Sequence, residues 1–121
     1  MTISFIGVVD DDQALCSSLV DLMRSIGYGA EPFNSTEALL AFDDLLSFNC
    51  IIADVYMPGM GGLDLIRELH ERHITTPVIL ITALPQRQLD EEAGSVGALC
   101  LLRKPFETRS LLDWVERSLL K

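Results

Sequence analysis

Five polar residues stand out because their side chains could together carry out phosphoryl chemistry: Asp10, Asp11, Asp54, Thr82 and Lys104. Three carboxylates in one pocket repel one another and need a cation, and their hard oxygen atoms suit Mg²⁺. A lysine adds a compact positive charge, and a threonine adds a hydroxyl donor. Such a set can balance the charge of an incoming phosphoryl group, and one carboxylate can act as the nucleophile and form an aspartyl phosphate.

These residues can act together only if the fold brings them together, and the apolar runs before them indicate how. Four apolar runs occur at residues 3–9, 50–53, 78–81 and 98–102. They do not alternate polar with apolar residues, which is typical of strands buried on both faces of a parallel sheet. A fifth candidate strand, Ala30 to Phe33, contains Pro32. Because proline cannot donate to a ladder, we expect this strand at an edge of the sheet.

Helical patterns fill the stretches between the predicted strands. The first helix carries apolar residues at spacings of three and four between Leu15 and Ile26, with Asp12 capping its start and Gly27 its end. The second helix is expected to begin at an N-cap formed by Asn34 or Ser35. The third, fourth and fifth helices are expected to begin near residue 63, near residue 87 and near Thr108.

Strands that alternate with helices five times predict an α/β fold with a doubly wound parallel sheet. At 121 residues the chain has room for one domain, which we place at residues 1–121. In an open parallel sheet the carboxyl ends of the strands lie along one edge, and ligands bind there where the strand order reverses. The five polar residues follow those ends, so we expect them to share one pocket.

The charge balance and the cysteines narrow the range of functions. Nine Lys and Arg stand against eighteen Asp and Glu, which gives a formal net charge of −9. Such a surface repels polyanions, so we expect no direct binding of nucleic acid or anionic membranes by this domain.

Cys16, Cys50 and Cys100 lie in apolar surroundings without C-x-x-C spacing, and we interpret them as buried thiols of a cytoplasmic protein. No signal peptide or membrane-spanning run is visible.

Four segments resemble the receiver domain of response regulators in two-component signalling, and they are most similar to its FixJ-like branch. In chain order they are V-V-D-D-D ending at Asp12, D-V-Y-M-P-G-M-G-G starting at Asp54, I-T-A around Thr82, and K-P-F starting at Lys104. The resemblance covers essentially the whole chain. It implies a flavodoxin-like (βα)5 sheet with strand order 2-1-3-4-5, which agrees with an edge position for the strand that contains Pro32.

The resemblance implies a role for each residue that matches a family motif. Asp54 matches the phosphoacceptor, and Asp10 and Asp11 match the acidic pair that holds Mg²⁺. Lys104 matches the lysine that binds the phosphoryl group, and its bond to Pro105 is typically cis in the family.

Further matches concern the metal and the switch. The backbone carbonyl of Tyr56 matches another Mg²⁺ ligand beside Asp54. Thr82 matches the switch hydroxyl that turns toward the phosphoryl group. Ala83 leaves room for that group and supplies a backbone N–H.

The function that the resemblance implies is a signalling switch rather than an enzyme. A histidine kinase or phosphotransfer protein would transfer a phosphoryl group to Asp54 with the help of Mg²⁺, and slow autodephosphorylation would reset the domain. Phosphorylation would alter partner binding or dimerisation through the face formed by the fourth helix, fifth strand and fifth helix. FixJ-like relatives often continue into a helix-turn-helix domain, so DNA binding and transcription regulation would belong to another part of such a protein.

The chain departs from the family pattern near the expected site. Relatives carry an aromatic switch residue three positions before the lysine, where this chain has Leu101. Leucine has no ring that could swing inward, which leaves Thr82 and the loop after it to carry the switch.

At the two positions that flank the phosphoryl group the chain has the bulky residues Tyr56 and Leu84. We predict that they hinder attacking water and lengthen the life of the aspartyl phosphate.

Two other functions stay open. Leu101 favours a binding module that works without phosphorylation, although degenerate receivers usually lose the acceptor or the acidic pair, and this chain keeps both. A phosphohydrolase with an aspartyl nucleophile commonly uses a D-x-D motif, but Tyr56 stands two residues after Asp54, so the second acid is missing. The glycines within residues 59–62 lack the G-K-[ST] of a phosphate loop, and we interpret them as a flexible turn.

Overall fold

The computed structural model describes residues 3–120 of the chain. Within this range the strands are β1 (Phe5–Val9), β2 (Gly29–Phe33), β3 (Cys50–Asp54), β4 (Val78–Thr82) and β5 (Cys100–Arg103). The helices are α1 (Gln13–Ser25), α2 (Thr36–Leu40), α3 (Gly62–Glu71), α4 (Gln88–Val96) and α5 (Thr108–Leu119), with a short 3₁₀ helix at Leu45–Ser47. The predicted domain of residues 1–121 also includes Met1, Thr2 and Lys121, which lie outside the described residues.

The five strands form one parallel sheet in the order β2-β1-β3-β4-β5. This confirms the predicted flavodoxin-like fold. β2 lies at an edge of the sheet, as expected for a strand that contains a proline, which has no N–H to donate. Pro32 pairs in register with Val8 of β1. The chain passes from β1 to β2 on one side and then crosses back past β1 to β3 on the other side, so a crevice opens over the carboxyl ends of β1 and β3.

The central strands β3 and β4 are buried on both faces, which explains their continuous apolar runs in the sequence. One buried cluster, here called the α3-side core, includes Val78, Leu80 and Leu65. The other, here called the α1-side core, includes Ile79 and Leu19. Because neighbouring residues of a strand point to opposite faces, β4 is apolar at every position before Thr82 and so completes both cores.

The first two helices, α1 and α2, start at side-chain caps that the sequence indicates. Oδ1 of Asp12 accepts a hydrogen bond of 3.1 Å from the N–H of Leu15. Of the two candidate caps for α2, the structure uses Ser35, whose Oγ accepts from the N–H of Ala38 at 3.1 Å. Gly27 follows the last capped turn of α1 with a φ of 103°, a conformation that favours glycine.

The glycines before α3 differ from the sequence interpretation. Only Gly59, with a φ of 79°, behaves as a turn residue. Gly61 and Gly62 are buried where α3 starts against the end of β3. A methyl group on Gly62 would lie 2.6 Å from a methyl carbon of Leu80 and 2.7 Å from the carbonyl oxygen of Asp54. These two glycines therefore permit close packing rather than flexibility.

The cysteines lie in apolar surroundings, as predicted. Cys16 and Cys50 are buried, and Cys100 is half-buried. Burial raises the pKa of Cys50 to about 11 and that of Cys100 to about 12. Thiols with such pKa values stay protonated at neutral pH and are weak nucleophiles. Their role is packing.

The helices are short. α1 has 13 residues, whereas a helix that crosses a bilayer needs about 20. Among residues 3–120, no helix is both long enough and apolar enough to span a membrane.

Candidate functional site

The sheet places the predicted site residues at its carboxyl edge. Asp10 follows β1, Asp54 is the last residue of β3, and Thr82 is the last residue of β4. Lys104 follows β5 directly. All strands are parallel, so these positions meet along one edge although they are distant in sequence.

Three carboxylates gather in this crevice. One oxygen from each of Asp10, Asp11 and Asp54 lies within 4.8 Å of the other two. Asp10 and Asp54 are 1% and 7% exposed, whereas Asp11 is exposed to solvent. A cluster of hard carboxylate oxygens open to water on one side suits Mg²⁺, which keeps several of its waters. The residues present therefore fit this cation.

The two buried acids are held in the same way. Oδ1 of Asp10 accepts a hydrogen bond of 2.9 Å from the N–H of Asp12. Oδ1 of Asp54 accepts one of 3.0 Å from the N–H of Tyr56. In both residues the backbone N–H of the second residue further along the chain thus fixes Oδ1 of the carboxylate. The other oxygen, Oδ2, is directed to the crevice. The side chain of Tyr56 is 59% exposed.

Lys104 joins these two acids. Its Nζ donates to Oδ2 of Asp54 at 2.7 Å and to Oδ2 of Asp10 at 3.2 Å. The side chain of Lys104 is half-buried. The bond from Lys104 to Pro105 is cis.

Burial and charge shift the pKa values of this network. Burial raises the pKa of Asp10, and the charge of Asp54 adds to this, while the Asp12 N–H and Lys104 act in the opposite direction. For Lys104, burial alone would lower the pKa, but the hydrogen bond and charge of Asp54, together with those of Asp10, outweigh it and raise the pKa. Lys104 is therefore fully charged at neutral pH.

The predicted switch residues occupy different surroundings. Thr82 is 1% exposed, and its Oγ1 accepts a hydrogen bond of 3.1 Å from the N–H of Leu84. Ala83, between them, is exposed. Leu101 is half-buried in β5, packs against the α3-side core and lies three residues before Lys104 in the sequence. The structure thus brings Asp10, Asp54 and Lys104 into contact, with Asp11 close to both acids, and places Thr82 at the end of the neighbouring strand β4.

One residue near the site, Arg103, was not predicted to contribute to it. Arg103, the last residue of β5, reaches the carbonyl oxygens of Leu84 and Gln86 and the carboxylate of Asp90. In the sequence its only signal is a charge at the end of a buried run, next to Lys104. Its partners lie on another loop and helix, so spacing along the chain could not identify them.

Comparison with known proteins agrees with this geometry. The family profile of the response regulator receiver domain matches residues 6–116. The chain belongs to this family. It is the receiver domain of a two-component response regulator, and receiver domains in general bind Mg²⁺ at an acidic pocket and interact with histidine kinases and phosphotransfer proteins.

Similar proteins include two regulators called FixJ. The transcriptional regulatory protein FixJ of Bradyrhizobium diazoefficiens is 35% identical over 112 residues, which cover 93% of this chain and 55% of that protein. FixJ of Azorhizobium caulinodans is 38% identical over 112 residues, covering 93% of this chain and 53% of that protein. The chain therefore spans about half the length of the curated relatives that it matches.

The receiver domain also resembles solved structures over nearly its whole length. The crystal structure of FixJ-N superposes with a TM-score of 0.88 at 31% identity, covering 98% of this chain and 94% of that one. The predicted similarity to the FixJ-like branch is thereby confirmed.

Proposed function

We propose that this receiver domain accepts a phosphoryl group on Asp54 from a histidine kinase or phosphotransfer protein, and that the phosphorylated state alters partner binding or dimerisation. The observation that carries the proposal is the contact between Lys104 and Asp54, 2.7 Å from Nζ to Oδ2, within a cluster of three carboxylates. A buried carboxylate paired with a lysine has the nucleophile and the counter-charge of phosphoryl transfer in direct contact.

The transfer uses the oxygen of Asp54 that the backbone leaves free. Oδ1 is occupied by the N–H of Tyr56, so Oδ2 attacks the phosphorus atom of the donor. The phosphorus–nitrogen bond to the donor histidine breaks, its electron pair stays on the imidazole, and an acyl phosphate forms on Asp54. Lys104 then pairs with an oxygen of the phosphoryl group instead of Oδ2, which keeps its positive charge next to the new negative charge.

Asp10, Asp11, Asp54 and the backbone carbonyl of Tyr56 would hold Mg²⁺. When bound, the cation neutralises the acids and offers positive charge to phosphoryl oxygens. The Thr82 hydroxyl and the Ala83 N–H are the remaining donors proposed for the phosphoryl group. In this account the domain modifies itself, loses the group slowly to water and turns over no metabolite.

The partners follow from the same proposal. We place dimerisation or docking on the face formed by α4, β5 and α5. The net charge of −9 argues against nucleic-acid binding by this domain. Because the relatives FixJ are transcriptional regulatory proteins, we propose that any control of transcription, in the cytoplasm, is exerted by other parts of a longer protein.

Intact-mass spectrometry tests the proposal. The native chain and Asp54→Ala are incubated with acetyl phosphate and Mg²⁺, and each is repeated with EDTA in place of Mg²⁺. We expect a phosphoryl-sized mass gain only in the native chain with Mg²⁺. No gain in the native chain, with Mg²⁺ binding verified by a thermal shift, would instead favour a module that works without phosphorylation. Steady turnover of a phosphomonoester would favour a phosphohydrolase.

A further inference from the structure

The guanidinium of Arg103 ties three parts of the molecule together. Nε donates to the carbonyl oxygen of Leu84 at 3.2 Å, and Nη2 donates to that of Gln86 at 2.7 Å. Nη1 and Nη2 also contact the two carboxylate oxygens of Asp90, each at 3.1 Å. A planar guanidinium can serve all of these acceptors at once, which a lysine ammonium on its flexible stem cannot do.

The peptide groups of Leu84 are held on both sides. Its N–H donates to Oγ1 of Thr82 at 3.1 Å, and its carbonyl oxygen accepts from Arg103 at 3.2 Å. The Leu84 N–H occupies one lone pair of the Thr82 hydroxyl and so limits the rotation of that side chain. One residue therefore connects the predicted switch hydroxyl to the guanidinium.

The other end of this connection is α4. Asp90 stands in the first turn of α4, next to Leu89, which is 4% exposed in the α3-side core. The hydrogen bonds and charge of Arg103 lower the pKa of Asp90, so Asp90 is ionised at neutral pH. A change in the Leu84 peptide that displaces Arg103 is thus transmitted to the first turn of α4.

We propose that Arg103 is a positioning residue of the switch, which orients the Thr82 hydroxyl through the Leu84 peptide and relays the state of Asp54 to α4 through Asp90. The inference rests on the proposed function for the relay, but not for the orientation of Thr82. It assigns to Arg103 the coupling role for which Leu101, half-buried in the strand, offers no polar group.

Substitutions at two positions separate the two parts of this role. Asp90→Asn removes the charge that pairs with Arg103 on α4 and leaves the bonds from Arg103 to the loop carbonyls in place. Arg103→Met removes the connections both to the loop carbonyls and to Asp90. Arg103→Lys retains the positive charge without the planar set of donors that a guanidinium has. Arg109→Met is the matched control, because Arg109 is exposed on α5 and forms no ion pair within residues 3–120.

The first readout is the side-chain rotamer of Thr82 in the unphosphorylated chain, measured by NMR scalar couplings. We expect a single rotamer in the native chain, Asp90→Asn and Arg109→Met, and averaged couplings in Arg103→Met and Arg103→Lys. A single Thr82 rotamer in both Arg103 variants would overturn the orientation role. A merely structural contribution of Arg103 would lower the melting temperature without changing these couplings.

The second readout is made with acetyl phosphate and Mg²⁺. The phosphorylation rate, followed by intact mass, should fall about three- to tenfold in Arg103→Met, the size expected for one misdirected hydrogen bond, and stay near native in Asp90→Asn. The amide shifts of α4 that accompany phosphorylation should be lost in both. Native-like α4 shifts in phosphorylated Asp90→Asn would overturn the relay. No mass gain in the native chain would defeat the proposed function and the relay with it, while the Thr82 couplings would still decide the orientation role.

Discussion

Lys104 donates a hydrogen bond of 2.7 Å from Nζ to Oδ2 of Asp54. The same nitrogen lies 3.2 Å from Oδ2 of Asp10, so one cation serves both buried acids. With Asp11, three negative charges face one positive charge, an excess of two that matches a divalent cation. Without that cation the carboxylates of the cluster repel one another.

Asp10→Asn should stabilise the domain in the absence of Mg²⁺. The substitution keeps an acceptor for the Asp12 N–H but removes a buried charge that repels Asp54. We expect a melting temperature about 2–5 °C higher at neutral pH in EDTA, which corresponds to about 1 kcal/mol. In Mg²⁺ the order should reverse, because the native chain gains binding free energy that the variant has lost.

The control for this prediction is Asp113→Asn, which removes one exposed charge on α5. Its melting temperature should change little with or without Mg²⁺. An Asp10→Asn variant less stable than the native chain in EDTA would show that the ion pair with Lys104 outweighs the burial of the acid.

Tyr56→Ala should shorten the life of the phosphorylated state. The Tyr56 side chain is 59% exposed, and its N–H is bonded to Asp54, so the ring stands in solvent next to the acceptor. Its removal should admit water and speed loss of the phosphoryl group about two- to tenfold, a difference of up to about 1.4 kcal/mol. The decay is followed by intact mass after removal of acetyl phosphate.

Tyr56→Phe keeps the ring and should decay at the native rate. Leu84→Ala should act in the same direction as Tyr56→Ala, but Leu84 also packs against the α3-side core, so its effect includes lost packing. Unchanged decay in Tyr56→Ala would mean that bulk at this position does not shield the phosphoryl group.

Gly62→Ala should destabilise the domain. A methyl group there would lie 2.6 Å from a methyl carbon of Leu80 and 2.7 Å from the Asp54 carbonyl oxygen, and the backbone oxygen cannot easily move. We expect a loss of about 1–3 kcal/mol in urea unfolding. Gly94→Ala lies on α4, where the added methyl group meets no atom within 4 Å apart from its neighbours in the chain and its own helix backbone, and it should instead gain about 0.5–1 kcal/mol. Equal effects of the two substitutions would contradict the packing role of Gly62.

The titration of Asp90 should depend on Arg103. The hydrogen bonds and charge of Arg103 hold the pKa of Asp90 below its usual value of 3.8. A carboxyl whose pKa is lowered in the folded state adds stability above its unfolded pKa, and this is lost as the pH falls through the folded pKa. In a carboxyl-carbon NMR titration, the Asp90 midpoint should therefore rise in Arg103→Met and stay low in Arg109→Met. A native midpoint in Arg103→Met would show that the ion pair does not form in solution.

Much of the fold could be predicted because the sheet is buried on both faces. β4 is apolar at each position before Thr82, which leaves few alternatives to a central parallel strand. The same pattern identified the site, because a polar residue that ends a buried run is placed at the sheet edge by the topology. Asp10, Asp54 and Lys104 could be grouped in this way from the sequence alone.

What the sequence could not provide are contacts that depend on how loops approach one another. The fork of Arg103 reaches Asp90 across 13 residues of chain, and no spacing rule links these two positions. α2 ends at Leu40, although Phe42 continues its apolar pattern. Phe42 instead packs with Phe33 and Phe48, at centroid distances of 5.2 and 5.5 Å. Tertiary packing there prevails over helix periodicity.

The most direct test of the account is to locate the phosphoryl group chemically. The chain is treated with acetyl phosphate and Mg²⁺, reduced with borohydride, which converts an aspartyl phosphate to homoserine, and digested for peptide mass spectrometry. We predict homoserine at position 54 and none at Asp10 or Asp11. Homoserine at another acid, or none after a measured mass gain, would contradict the assignment of Asp54 as the residue that Lys104 prepares for phosphorylation.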